Sequence, residues 1–284
     1  MVTASTAVPE AALPAERRSR QGHQLRRQIN LVRELAFTQF KLKYTGSVLG
    51  YVWSLLKPLM IFAIMYVVFA RIFKISATTP HFPLQLLLGI IVWSFFAESV
   101  STAISCIVAN TGLVKKAFFP RPILVISSSL SACMTFIINL SLVVVIFTAL
   151  RQTDLGWRSL AILPLMVELY ALILGISLLL SAMFVFYRDT GHIWEVGSQV
   201  VFYGSAVVFP LTPAFLGNLV KVIALNPMAQ IIEDTRHALV STSVPWTSDI
   251  LGAAAVVPFL IVVLIVLVGY RAFSQLSPRF AEAL

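Results

Sequence analysis

Six predominantly apolar stretches make up most of the chain, and they exclude most folds that are soluble in water. A helix needs about 20 mostly apolar residues to cross the hydrocarbon core of a bilayer, and each stretch reaches that length. They occupy residues 49–73, 82–108, 123–150, 159–186, 196–216 and 250–270. The pattern predicts an all-α integral membrane protein whose six transmembrane helices form one domain over residues 49–271.

The amino-acid composition indicates that part of the surface of the folded chain contacts lipid. The chain is 58% hydrophobic and 12% charged, whereas soluble domains carry about 25% charged residues. The net charge of +9 would suit a nucleic-acid ligand, but eight of the 21 Lys and Arg residues precede residue 49, beside the first apolar stretch. This placement indicates a basic segment at a membrane surface and argues against nucleic acid as a partner.

The distribution of basic residues predicts the orientation. Six spans place both termini on the same side of the membrane. That side carries 14 Lys and Arg residues and the opposite side six. Because basic loops stay in the cytoplasm, we expect both termini there. The assignment depends on the eight N-terminal cations, since the two sides otherwise tie.

Four further segments are assigned from their sequence patterns. Residues 25–43, "LRRQINLVRELAFTQFKLK", alternate apolar and basic positions at helical spacing. They predict an amphipathic interfacial helix over residues 25–48, with packing on the protein as the alternative. We expect residues 1–24 to be a disordered basic tail and residues 272–284 a cytoplasmic tail. The proline-rich segment 210–249 predicts short helices on the outer side.

Motifs of soluble catalysis are missing from the sequence. The chain has no phosphate-binding G-x-x-x-x-G-K-[ST] loop, no G-x-S-x-G and no H-E-x-x-H, and its four His residues are scattered. We therefore expect no catalytic residue, no metal site and no cofactor bound by this chain. Glu98 and Glu168 lie inside predicted spans, where each is either a group on a transport path, a protonated residue or a hydrogen-bond partner between helices.

Aromatic residues form a stripe on the first two spans. Phe62, Tyr66 and Phe69 share one face of the first span, and Trp93 and Phe96 form a pair on the second. Sugar rings stack on aromatic faces, so such a stripe suits a glycan channel. Core packing or an interfacial aromatic belt explains the same spacing.

The loop between spans two and three, "NTGLVKKAFFPRP", predicts a compact cytoplasmic helix. A turn signal at Gly112 precedes a helical stretch from Leu113 to Phe119, which Pro120 and Pro122 end. Phe118 and Phe119 need a surface to cover them, either a partner protein or the membrane.

Four segments in this order resemble one family. They are "RELAFTQFKLKYTGSVLGYVWSLLKPL", "LVKKAFFPRP", "FYRDTGHIW" and "LNPMAQIIEDTRHAL". Together on six spans they are similar to the permease subunits of ABC exporters that carry lipid-linked polysaccharides of the O-antigen type, the Wzm type. The resemblance covers nearly the whole chain after about residue 30.

The resemblance implies a half-transporter in the bacterial inner membrane. Two copies would pair, each with one copy of a separate ATPase subunit that binds ATP and Mg²⁺, and would export an undecaprenyl-diphosphate-linked polysaccharide. The family's coupling helix, which seats in the ATPase, corresponds to the loop residues Leu113, Val114, Lys115, Lys116, Ala117, Phe118, Phe119 and Arg121.

Lys57 and Pro58 stand near the start of the first span, where both residue types are unfavourable. A bend there would connect the interfacial helix to the span, with Lys57 at the cytoplasmic mouth. Lys57 is then a candidate for the lipid pyrophosphate, and Arg33 and Lys41 compete for that role. Snorkelling of Lys57 towards lipid headgroups is the alternative.

Two other classes of protein fit the composition. A membrane-embedded transferase acting on lipid-linked sugars would need carboxylates or His grouped at one membrane face, which Glu98 and Glu168 do not supply. An exporter of the same architecture could carry teichoic acid, haem or drugs. An ion channel fits least, since no repeated polar filter is present.

Overall fold

The structure, a computed structural model, describes residues 13–46, 50, 52–75, 79–116, 119–149 and 156–284. For residues 13–25, 44, 214 and 215 it describes the backbone alone. The described residues form helices and connecting loops, with no strand among them.

The described residues of the N-terminal half form five α-helices. They are α1 (Leu13–Tyr44), α2 (Val52–Tyr66, continued as a π-helix over Val67–Ile72), α3 (Phe82–Ala109), α4 (Thr111–Val114) and α5 (Pro122–Ala149). The described residues of the C-terminal half form eight α-helices. They are α6 (Ile162–Phe186), α7 (Thr190–Gly204), α8 (Pro213–Leu216), α9 (Leu219–Ala224), α10 (Pro227–Leu239), α11 (Thr247–Leu251), α12 (Val256–Leu276) and α13 (Phe280–Ala283).

Five helical segments of the described chain are long and apolar enough to cross a membrane. They cover Val52–Ile72, Phe82–Ala109, Pro122–Ala149, Trp157–Phe186 and Thr247–Ala283. The prediction of an all-α membrane protein is confirmed in this coarser form, and five of the six predicted spans have a counterpart.

The predicted span over residues 196–216 differs from the structure. Helix α7 has 15 residues and ends at Gly204, so it is about 22 Å long at 1.5 Å per residue, which is short of the roughly 30 Å hydrocarbon core. Residues 205–212 then follow an irregular path, with a φ of 52° at Ala206. The apolar run continues past Gly204, but the helix does not.

Helix α3 is the centre of the bundle. It packs against α2, α5, α6, α7 and α10, and 67% of its apolar window is buried, compared with 6% for α2 and 11% for α12. Helices α2 and α12 therefore lie at the periphery and present most of their apolar surface outward.

Helices α6 and α12 approach each other closely through two glycines. A Cβ atom added at Gly269 would lie 2.1 Å from the carbonyl oxygen of Gly175, and one at Gly175 would lie 2.9 Å from the backbone nitrogen of Val266. Small residues are what permits such backbone contact between membrane helices.

Both terminal segments are more ordered than the sequence predicts. Helix α1 begins at Leu13, inside the predicted disordered tail 1–24, and residues 1–12 lie outside the described residues. The segment 272–284, predicted as a tail, continues α12 to Leu276 and turns back so that Phe280 is fully buried. Aromatic packing of Phe280 against Phe273 and Phe186 accounts for this order.

Candidate functional site

The two ends of the bundle carry different chemistry. One end of the bundle holds α10, and we call it the α10 end. Helix α3 and the helical segments that lead into α6 and α12 begin there. The opposite end holds α4 and the C-terminal segment 277–284, and we call it the α4 end. Helix α7 begins at the α4 end, after α6, and its last carbonyl is bonded to Asn226 at the α10 end.

Helix α10 is a polar helix buried inside an apolar bundle. All thirteen of its residues are buried, including six polar ones: Gln230, Glu233, Asp234, Thr235, Arg236 and His237. The sequence predicts this helix as an outer-side element, but it is enclosed by α3, α6, α9, α11 and α12. The surrounding helices can cover it because several of its polar groups, above all Arg236, Gln230 and Asp234, find partners on one another and on neighbouring backbone.

The start of α10 is fixed by Asn226. Its side-chain oxygen accepts a hydrogen bond from the backbone N–H of Met228 at 3.0 Å, as an N-cap does, and Pro227 occupies the first helical position. The Asn226 amide also donates to the carbonyl of Gly204 and to the hydroxyl of Ser205, both at 3.0 Å. One side chain thus ties the end of α7 to the beginning of α10.

Arg236 is the centre of the polar network. Its guanidinium donates to the backbone carbonyls of Gln85 at 3.0 Å, Val207 at 2.7 Å and Phe209 at 3.2 Å. It also pairs with the Glu233 carboxylate at 3.0 Å, and both side chains are 1% exposed. A buried carbonyl without a donor costs roughly 1–3 kcal/mol, so Arg236 makes the irregular segment after α7 tolerable inside the bundle.

Gly89 on α3 allows Arg236 to reach these partners. A Cβ atom at this position would lie 2.6 Å from the Val207 oxygen and 2.8 Å from the Arg236 guanidinium. Arg236, α3 and the segment after α7 therefore meet at Gly89, where there is no room for a side chain.

Glu233 is a partly satisfied carboxylate. Burial raises its pKa, while the charge of Arg236 lowers it. One oxygen, Oε2, bonds to Arg236, and the backbone N–H of Leu211 also interacts with the carboxylate. The other oxygen, Oε1, is buried and makes no hydrogen bond of normal geometry with the described residues.

Glu168 connects α6 to this network. The Gln230 amide donates to Asp234 at 2.9 Å and, over a longer 3.4 Å contact, to Glu168. The second oxygen of Asp234 accepts the backbone N–H of Thr247 at 2.8 Å, which fixes the approach to α12. Of the interpretations given for Glu168, the geometry favours a hydrogen-bond partner between helices.

The aromatic residues predicted on the first two spans have different neighbours in the structure. Phe62 and Tyr66 stack on α2 with centroids 5.6 Å apart, and Phe69 stacks on Phe73. All three predicted residues of α2 are half-buried.

The aromatic pair on α3 meets aromatic residues of α7 that the sequence analysis did not single out. Trp93 and Phe96, 5.4 Å apart, pack edge-on against Phe202 at 5.4 Å and Trp194 at 5.9 Å respectively. Trp194 also donates a hydrogen bond to Ser101 at 2.9 Å. Phe96 is 2% exposed and so presents no surface in the single chain, whereas Trp93 is half-buried.

The loop between the second and third candidate spans forms a shorter helix than predicted. Helix α4 covers Thr111–Val114, and not Leu113–Phe119. The Thr111 hydroxyl bonds the carbonyl of Val108 at 2.7 Å, and the Asn110 amide bonds that of Cys106 at 2.8 Å. These contacts end α3 and place the new helix directly after it.

The predicted coupling residues separate into anchors and an exposed tip. Val114 is buried, and Leu113 and Phe119 pack half-buried against the same apolar cluster as Phe280. Lys115 and Lys116 are exposed. Ala117 and Phe118 lie outside the described residues.

Arg121 fastens this loop to the C-terminal segment. It donates to the carbonyl of Ser277 and to its hydroxyl, the latter at 3.2 Å. Its guanidinium also lies 5.9 Å from the centroid of the Phe280 ring. The loop and the chain end therefore form one packed unit.

The three predicted pyrophosphate residues are exposed but do not form a cluster. Arg33 pairs with its neighbour Glu34 at 3.3 Å, and Lys41 and Lys57 are exposed on α1 and α2. The cation that reaches the bundle is Lys43, which forms an ion pair with Glu98 on α3. Glu98 is thus also a partner between helices.

A polar groove surrounds the Lys43–Glu98 pair. It has a volume of about 340 Å³ and lies between α1, α3 and α5, lined by Gln39, Thr102, Ser105, Asn110, Ser128 and Ser131 among others. Helix α1 packs on α5 through its C-terminal half, where Ala36 is fully buried, while residues 26–30 are exposed.

Pro58 lies inside α2 and does not start it. Proline has no N–H to give to the carbonyl four residues earlier, here that of Ser54. The side-chain amide of Asn139 on α5 donates to this carbonyl at 3.0 Å. The helix breaker is therefore accommodated by a donor from a neighbouring helix.

Comparison with known proteins gives relatives along nearly the full length of the chain. Two are O-antigen export system permease proteins RfbA of Klebsiella pneumoniae. One is 25% identical over 246 residues and the other 26% over 245, each match covering 86% of this chain and 91% of the relative. A third, the RfbA protein of Myxococcus xanthus, is 24% identical over 255 residues, or 89% of this chain and 95% of the relative.

Over most of its length the chain is similar to O-antigen export permeases. No family model matches it. The resemblance drawn from four sequence segments is confirmed by these relatives.

Three side chains that connect helices escaped the sequence analysis. Arg236 and Lys43 were counted only among the basic residues, and Asn139 was not singled out. A partner such as Asn139 could have been expected from the sequence, because a proline inside a helix leaves the carbonyl four residues earlier, here that of Ser54, without its usual donor. Arg236 and Lys43 find partners as far as 151 and 55 residues away in sequence, which no local pattern reveals.

Proposed function

We propose that this chain is the membrane-spanning permease subunit of an ATP-driven exporter of an O-antigen-type polysaccharide. The cargo is linked to undecaprenyl diphosphate and moves from the cytoplasm to the outer side of the bacterial inner membrane. The observation that carries the proposal is the similarity to three O-antigen export permeases over 86–89% of the chain. The five apolar helices agree with a multi-pass membrane subunit.

In the proposed complex two copies of the chain pair, and each binds one ATPase subunit that supplies ATP and Mg²⁺. The exposed apolar faces of α2 and α7 support pairing, with Met60 and Ile64 on the first and Val196 and Val200 on the second. Such faces need lipid or a second copy to cover them. Between two copies, the half-buried rings of Phe62, Tyr66 and Trp93 would face the polysaccharide.

ATPase binding is assigned to the tip of the loop after α4. Lys115 and Lys116 are exposed among the described residues of that loop, and Phe118 is included in the proposed contact from its place in the sequence. The anchors Leu113, Val114, Phe119 and Arg121 would carry motion into α3, α5 and the C-terminal segment, because they pack on those elements.

The lipid diphosphate is assigned to the cytoplasmic side of α1 and α2, where Arg33, Lys41 and Lys57 are exposed cations. The N-terminal part of α1 would lie in the headgroup region, and its C-terminal part packs on α5. This combines the interfacial and the packed interpretations of the helix.

Deletion of the gene in its native host tests the function. We expect surface polysaccharide to disappear and full-length polymer on undecaprenyl diphosphate to accumulate inside the cell, with both effects reversed by a plasmid copy. Unchanged surface polysaccharide would contradict export. Loss of the polymer inside the cell as well as outside would indicate a transferase.

A further inference from the structure

A cavity of about 410 Å³ opens at the α10 end of the bundle. It lies between the segment that follows α2, the start of α3, and the loops before α8 and after α10. Its described lining is Phe73, Lys74, Ile75, Thr79, Pro80, Gln85, Pro210, Thr212, Glu233, Ser243, Val244 and Pro245. Its volume falls within the range of roughly 300–1,000 Å³ usual for small-molecule sites.

Glu233 supplies a buried acceptor to this cavity. Its side chain is 1% exposed, and its Oε2 atom is held by Arg236 at 3.0 Å. The backbone of Leu211 also interacts with the carboxylate, but its Oε1 atom makes no hydrogen bond of normal geometry with the described residues. A carboxylate oxygen without a donor in such a place is costly. An O–H group of a ligand would satisfy it with a charge-assisted hydrogen bond.

Besides this carboxylate, the lining supplies one cation, three hydroxyl groups and apolar surface. Lys74 is exposed at the cavity with a left-handed backbone φ of 54°. The hydroxyls belong to Thr79, Thr212 and Ser243, and the apolar surface comes from Phe73, Val244 and the three prolines.

This combination selects a neutral ligand rich in hydroxyl groups. An anionic group has no proton to donate to the Glu233 Oε1 atom, and a cation would meet Lys74 at the cavity and Arg236 behind the carboxylate. A purely apolar ligand would leave the Glu233 oxygen unsatisfied. A sugar ring offers hydroxyl donors, hydroxyl acceptors and apolar C–H faces at once.

We propose that this cavity is a binding site for a neutral sugar unit of the polysaccharide, at the end of the bundle opposite the ATPase-binding loop. This inference rests on the proposed export function. Glu233 accepts a hydrogen bond from a sugar hydroxyl, Lys74 donates to a second oxygen, and Phe73 and the prolines contact the ring faces. The site would hold the polymer near the outer side of the membrane.

The test uses the full permease purified together with its ATPase subunits. The probe is tritium-labelled oligosaccharide, prepared by mild acid hydrolysis of the host's own surface polysaccharide, and binding is measured by equilibrium dialysis. Glu233→Gln removes the charged acceptor. Ser243→Trp places a large ring at the cavity without changing the ion pair with Arg236, so it keeps the test valid if Glu233→Gln does not fold. Thr242→Trp, at an exposed neighbour outside the lining, is the matched control.

We expect Glu233→Gln and Ser243→Trp to bind the probe at least tenfold more weakly than the wild type, with Thr242→Trp unchanged. Equal binding by all four proteins, or no binding by a wild type that restores export to the deletion strain, would overturn the sugar site and leave the export function intact. A deletion strain that still displays surface polysaccharide would instead remove the export function itself.

Discussion

At the scale of the residue, Arg236 satisfies more buried groups than any single predicted site residue. Three carbonyls and one carboxylate depend on its guanidinium. A planar group with five donors can serve four acceptors in different directions, which lysine cannot do.

Arg236→Ala should therefore destabilise the permease by about 3–5 kcal/mol, since it leaves the Glu233 charge buried and unpaired. The measurement is equilibrium unfolding in mixed dodecyl maltoside and SDS micelles. Arg271→Ala, at an exposed arginine, is the control and should unfold like the wild type. Equal stability of the two variants would contradict the role of Arg236.

Pro58 and Asn139 should be energetically coupled. Pro58→Ala restores an N–H for the Ser54 carbonyl, so Asn139→Ala should cost about 1 kcal/mol less in that background than in the wild type. The same unfolding assay on the two single variants and the double variant gives the interaction energy. Additive effects would mean that the 3.0 Å contact between Asn139 and Ser54 contributes nothing to stability.

Residue-scale patterns explain what the sequence could and could not predict. The aromatic stripe and the loop cations are visible as local spacing, and so were found. The ion pair of Lys43 with Glu98 and the bonds of Arg236 join residues distant in sequence, and their partners include backbone carbonyls that have no sequence signature.

At the scale of the element, apolar length predicted four spans within three residues of the observed helical segments, because solvation by lipid depends on length and apolarity. The fifth predicted span, 250–270, lies inside the longer segment Thr247–Ala283. The same criterion does not match the helix at residues 196–216, where α7 ends at Gly204. There the chain stays apolar while its backbone leaves the helix, and the donors that permit this belong to α10. The burial of α10 could not be predicted, because six polar residues in a short helix are typical of a helix at the protein surface.

The contact of α6 with α12 should not tolerate a side chain at Gly269. Gly269→Ala forces the two helices apart, because the added Cβ would lie 2.1 Å from the Gly175 carbonyl. We expect a loss of about 1–3 kcal/mol in the unfolding assay.

Gly197→Ala on α7 is the control for that substitution. Its Cβ meets nothing within 4 Å, so the variant should gain up to about 1 kcal/mol from helix propensity. A similar change in both variants would contradict the importance of the close contact.

At the scale of the whole molecule, the polar groups separate into two ends joined by apolar helices. Exposed Lys115 and Lys116 lie at the α4 end, and the sugar cavity lies at the α10 end.

Reversing both loop charges, Lys115→Glu with Lys116→Glu, should abolish copurification of the ATPase without changing thermal stability. Lys221→Glu, an exposed lysine at the other end, should retain the ATPase. Full retention by the double variant would move the ATPase contact elsewhere.

The orientation of the two ends can be measured with a membrane-impermeant maleimide. In a background with Cys106 and Cys133 changed to Ser, Trp157→Cys at an 85% exposed position should be labelled in intact spheroplasts. Lys116→Cys should be labelled only after the membrane is opened. The reverse pattern would place both termini outside the cytoplasm.

The burial of α10 also has a consequence for how the protein is made. A helix with six polar side chains is not hydrophobic enough to be inserted by the translocation machinery as a span, and α12, which covers it, is synthesised after it. Helix α10 must therefore wait in water until α12 has entered the membrane, and only then dock against α3 and α6. We therefore expect biogenesis of this protein to end with the docking of α10 into the bundle, after α12 has been inserted.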